Sequence, residues 1–111
     1  MQFGEMLRNL RVSKGLSLRD LNDKVGIHFT LLSKIESGLR PPPEIHVIFR
    51  LADALGLTGE PLEEFVRLAT ESSRQTSARL SAEELEKLRG SKSLRSFLRH
   101  QAKKRQGGEM G

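Results

Sequence analysis

The chain has 111 residues, a formal net charge of +5 and no cysteine. This length accommodates one compact domain with an appendage. The lack of cysteine excludes disulfides and thiolate chemistry and fits a cytoplasmic protein, and no apolar run approaches the roughly 18 residues of a membrane span.

A first helix is predicted over about residues 2–14, where Phe3, Met6, Leu7 and Leu10 form one apolar stripe before Gly15. Met1 to Glu5 begin directly inside this pattern, so no signal peptide is expected. Ser17 is placed to N-cap a second helix, with Asp20 three residues on as an acidic partner. Leu18 and Leu21 lead to Val25 at helical spacing. After Gly26 and Ile27, the residues Leu31, Leu32 and Ile35 resume that spacing from about His28 to Ser37, and all three are expected to face inward. Two short helices joined by a turn this tight form a helix-turn-helix unit, which presents its second helix to the major groove of DNA.

Residues 39–43 form a stiff loop because they include Pro41, Pro42 and Pro43, the last of which can occupy a first helical turn. A fourth helix is predicted over about residues 43–55, with Ile45, Ile48, Ala52 and Leu55 inward and Phe49 and Leu51 widening the stripe. Pro61 opens a fifth helix carrying Leu62, Phe65, Val66 and Leu68 and ending near Thr70. Residues 1–70 therefore read as a DNA-binding domain with one small core.

Residues 71–80 read as a polar linker. Ser81-Ala82-Glu83-Glu84 is a capping-box pattern that starts a helix with Leu85 and Leu88, ending at Gly90. A second short helix begins near Ser93 with Leu94, Phe97 and Leu98 on one face. Residues 81–105 form a basic helical tail, and residues 106–111 are expected to be disordered. The first 70 residues hold nine basic and nine acidic side chains, so the whole positive excess lies in the tail. Such a segment either adds phosphate contacts or solvates the chain end. Leu85, Leu88, Leu94, Phe97 and Leu98 are too many apolar residues for solvation alone, and two short helices cannot bury them unaided. The expectation is a homodimer interface through this stripe, with the basic face left for DNA.

Leu21, Val25, Ile27, Leu32 and Ile35, the turn residue Gly26, the closing Lys34-Ile35-Glu36-Ser37-Gly38, the run from Arg40 to Pro43, and the stretch from Leu51 to Leu57 occur in a familiar order. On these residues the chain resembles the Cro/cI-type helix-turn-helix transcriptional regulators of the XRE family, over roughly residues 2–70. It departs at Asn22, where that family usually has a small Ala. Asn22 must find hydrogen-bond partners or lean to the surface. The resemblance implies an all-α fold: a five-helix lambda-repressor-like DNA-binding domain, here followed by a short helical basic C-terminal extension. It also implies that Arg11 and Glu36 form a partly buried ion pair between the first helix and the end of the third.

By position, His28, Phe29, Thr30, Ser33 and Lys34 face the groove as base readers. Lys34 can donate to guanine, Thr30 and Ser33 can bond bases or phosphates, and Phe29 can touch a thymine methyl. Phe29 either packs back on the second helix or serves the groove, and groove contact is expected. His28 either donates to DNA or belongs only to the helix start. Phosphate contacts are expected from the backbone near Ser17 and Leu18 and from Arg19 and Arg40. His28, His46 and His100 are not spaced as a metal set, no catalytic motif occurs, and no cofactor is expected. The leading reading is a dimeric repressor of double-stranded DNA. The alternative is an antitoxin whose tail binds a toxin, with DNA binding used for autoregulation. A regulatory protease is a further possible protein partner, acting at residues 71–80. A bridging coactivator of eukaryotic type is discounted, because such proteins carry an extension ahead of this domain.

Overall fold

A computed structural model describes residues 1–72 and 82–110. Among these residues it contains seven helices and no strand: α1 (Phe3–Ser13), α2 (Leu18–Val25), α3 (Phe29–Glu36), α4 (Ile45–Leu55), α5 (Gly59–Ser72), α6 (Ala82–Lys87) and α7 (Lys92–Met110). None of them is long and apolar enough to cross a membrane. Most of the polar linker and the Ser81 end of the capping-box pattern lie outside the described residues.

The helices start and stop for local reasons. Ser17 Oγ accepts the Asp20 N–H at 3.0 Å, while Asp20 Oδ2 accepts the Ser17 N–H at 2.9 Å, so α2 opens with a reciprocal capping box. Glu44 is extended, and α4 therefore begins at Ile45 with Pro43 outside it, two residues later than expected. Helix α5 starts at Gly59, which puts Pro61 in the first turn, where its missing N–H costs little. Glu71 and Ser72 continue this helix instead of starting a linker.

One core joins all of these elements. Phe3, Leu7, Leu21, Val25, Leu32, Ile48, Phe49, Leu51, Leu55, Leu62 and Phe65 are almost fully buried in it. The Phe3 and Phe65 rings meet at 4.9 Å and tie α1 to α5. Helix α3 packs on α1 and α2, while α4 packs on α2 and α5. Gly4 is buried where α1 crosses the end of α3, and a Cβ there would overlap the backbone carbonyl oxygens of Ile35 and Glu36.

The tail belongs to this core, which corrects the expected homodimer stripe. Leu88 and Leu94 are buried in the chain's own core, and Phe97 packs half-buried against it, edge-on to Phe49 at 5.4 Å. Only Leu85 and Leu98 stay exposed. Helix α7 docks on α4 and α5, and α6 docks on α4. The apolar face of α4 and α5 lies in the same chain, so docking there needs no second copy and incurs no association cost.

A buried polar cluster fixes where α7 begins. Asp53 Oδ1 accepts the Ser93 N–H and Asp53 Oδ2 accepts the Ser91 hydroxyl, both at 2.8 Å. The Ser93 hydroxyl, 1% exposed, donates to the Phe49 carbonyl at 2.9 Å. Farther along, His100 Nε2 lies 2.9 Å from Glu63 Oε2 on α5. Helix α7 has 19 residues, and its bounds take in residues 106–110, expected to be irregular. Once a docked helix is nucleated, each added residue gains a hydrogen bond without the nucleation cost.

Two outcomes test this packing. Asp53→Ala strips acceptors from buried donors and is expected to lower stability by about 1–3 kcal/mol in urea denaturation. Gly4→Ala forces α1 away from α3 and is expected to lower stability by more than about 2 kcal/mol in the same assay.

Candidate nucleic-acid interface

Helix α2 ends at Gly26, whose φ of +75° is left-handed and unfavourable for any residue with a Cβ. The Gly26 N–H donates to the Asn22 carbonyl at 2.8 Å, closing the helix. Ile27 is half-buried against the core and anchors the turn. Only Gly26, Ile27 and His28 separate α2 from α3.

Helix α3 has eight residues. Leu32 and Ile35 are buried, while Thr30, Ser33 and Lys34 are exposed along the opposite face. Leu31, expected to face inward, is 42% exposed. Leu31 lies four residues before Ile35 and Leu32 three before it, so the spacing admits either as the partner on the inner face. Packing on α1 and α2 selects Leu32 and leaves Leu31 as an apolar flank of the exposed face.

The start of α3 is held by side chains. Asn22 Oδ1 accepts the Phe29 N–H at 3.1 Å, and His28 Nδ1 accepts the Thr30 N–H at 3.2 Å. Two of the donors that a helix start leaves unpaired are thus satisfied within the protein. Asn22 takes up this role at the position where the resembled family carries a small residue. The sequence signal was the polar side chain itself, which needed a partner at a packed site. Phe29 does not stand free in the way a groove-inserted ring would. It is half-buried, its ring stacks on His28 at 4.4 Å and 27°, and the Arg19 guanidinium carbon lies 5.1 Å from its centroid.

The end of α3 is held by a fork. Arg11 Nε donates to Glu36 Oε2 at 2.6 Å, and a terminal Arg11 nitrogen donates to Glu36 Oε1 at 3.0 Å. The other terminal nitrogen donates to the Leu16 carbonyl at 2.8 Å. The side chains are only 13% and 6% exposed. The Glu36 hydrogen bond raises the Arg11 pKa above its ordinary value, against the opposing effect of burial. One pair thereby joins α1, the loop before α2 and the last turn of α3.

Around this helix, Arg19 and Arg40 are exposed. Ser17 and Leu18 are placed differently from a simple open anion seat. The Ser17 N–H is taken by Asp20, which leaves the Leu18 and Arg19 N–H groups for an outside acceptor. The two Ser17 hydrogen bonds lower the Asp20 pKa, so α2 loses this cap only in acid, as pH falls through that lowered value. Arg8, not singled out by its sequence position, lines a groove with Arg11, Leu18, Ser33 and Ser37. A cation on α1 therefore borders the exposed face of α3.

A family model described as a helix-turn-helix domain matches residues 2–65, from the start of α1 into α5. No curated protein and no solved structure matches the chain.

The fork yields a stability prediction. Glu36→Ala leaves the Arg11 guanidinium in a mostly buried site without its partner, and a loss of about 3 kcal/mol is expected in denaturant melts. A double-mutant cycle with Arg11→Ala is expected to be strongly non-additive.

Proposed function

The chain belongs to the helix-turn-helix domain family, and we propose that it is a sequence-specific double-stranded DNA-binding transcriptional regulator. In this reading it is a cytoplasmic repressor of the Cro/cI type that uses residues 1–70 as a five-helix lambda-repressor-like unit and reads the major groove with α3. The observation that carries the reading is the two-sidedness of α3. Leu32 and Ile35 bind it to the core, and Thr30, Ser33 and Lys34 stand exposed in a row that is clamped at both ends. A helix held in this way presents hydrogen-bond donors in a fixed register, as base-edge reading requires.

One helix of this size covers half of a specific site, so the chain acts as a dimer on two half-sites about one DNA turn apart. The dimer contact uses surface other than Leu88, Leu94 and Phe97, which the chain's own core occupies. The exposed side chains Lys87, Arg89, Lys92, Arg95 and Arg99 give α6, α7 and their junction a basic surface for added phosphate contacts. The exposed Leu85 and Leu98 favour contact of the tail with protein. That protein is a second copy in the repressor reading and a toxin in the antitoxin reading.

Light scattering combined with selection from random duplex pools tests these readings. A dimer that selects a palindrome supports the repressor, and a monomer that selects nothing removes it. Lys34→Ala and Thr30→Ala are each expected to weaken binding to the selected site by about 1–3 kcal/mol without changing the melting temperature.

A further inference from the structure

We propose that Arg19, Phe29 and His28 form a preorganised clamp for a DNA backbone phosphate at the mouth of the major groove. Phe29 acts as its platform and not as a base reader. The inference rests on the reading of α3 as a major-groove helix.

The three residues come from two helices and meet on one ring. His28 lies against the Phe29 ring at 4.4 Å with 27° between the planes, and the Arg19 guanidinium carbon is 5.1 Å from the ring centroid. These contacts occupy the surface that a thymine methyl would need. They also restrict two long side chains that would otherwise lose rotamer freedom on binding. A guanidinium resting on an aromatic ring keeps its N–H edge available for an oxygen ligand.

The hydrogen bonding defines what the clamp presents. His28 Nδ1 accepts the Thr30 N–H at 3.2 Å, so in the neutral ring the proton sits on Nε2. The His28 ring and the Arg19 fork therefore both offer donors to solvent. Their common ligand is rich in acceptors and negatively charged. A phosphate fits this description better than a base edge because of where the donors stand. Arg19 is in the first turn of α2, and the first helix of such a unit crosses the DNA backbone while the second enters the groove. His28 is the N-cap of α3. A donor pair that spans the two helices lies where a strand passes between them. Asp20, the nearest acid in sequence, has its carboxylate engaged by Ser17.

The test uses the full chain and its selected duplex, titrated between about 50 and 200 mM salt. Arg19→Gln is expected to weaken binding roughly 3- to 10-fold and to flatten the dependence of log affinity on log salt by about one. In a Phe29→Leu background, the same substitution is expected to have less than half of that effect. His28→Asn keeps an acceptor for the helix start and is expected to weaken binding to all duplexes alike. A Phe29→Leu protein that changes the preferred base at one position while keeping its salt slope would show that the ring reads thymine and would overturn the clamp. An Arg19 effect equal in both backgrounds would overturn the platform. A His28→Asn effect confined to one base pair would assign His28 to the bases. Arg19 and His28 are exposed, so their variants remain informative whatever Phe29→Leu does to folding. A native chain that binds no duplex would overturn the major-groove reading itself, an outcome distinct from the others.

Discussion

An eight-residue helix has no independent stability in water, and the candidate reading helix is of that length. Everything proposed for the surface of α3 depends on how the rest of the chain holds it. Two buried side chains, Leu32 and Ile35, supply the apolar attachment. The ends are fixed by hydrogen bonds: Asn22 and His28 at the start, and the Arg11–Glu36 fork at the finish. Gly4 lets α1 approach the last turn closely enough for that fork to form. The exposed face is fixed because the hidden face and both ends leave α3 little freedom to rotate.

The same logic extends away from the interface. Helix α4 is the shared element of the fold. It packs on α2, lies beneath α6 and α7, and carries both Phe49 and Asp53. Asp53 and the two serines set the register of α7 by hydrogen bonds whose geometry tolerates little slippage, whereas Leu88, Leu94 and Phe97 supply apolar area without strict register. Apolar burial and polar specificity are thus divided between different residues of one contact.

Charge follows the packing. The nine basic and nine acidic residues of the first 70 cancel in number but not in place. Arg11 and Glu36 neutralise one another within the structure. Arg67 is engaged by Glu64 and Glu71 on the surface of α5. Arg8, Arg19 and Arg40 remain exposed around α3. A chain segment that is neutral in total can still present a positive rim where the paired acids lie elsewhere.

The helices, their approximate bounds and the tight turn at Gly26 were legible in the sequence. They depend on spacing and on local backbone chemistry within a few residues. The inward faces of α4 and α5 were legible for the same reason, since a wide apolar stripe has one way to turn. The assignment of Leu31 was not legible, because a narrow stripe on a short helix fits two rotations and only contact with α1 and α2 selects one. The fates of Phe29 and of the tail were not legible either. Whether a ring stands in water or on Arg19 and His28, and whether a Leu/Phe stripe meets its own α4 or another chain, depends on distances between residues remote in sequence. The pattern of the chain determined which side chains had to find partners, and only the tertiary structure decided which partners they found.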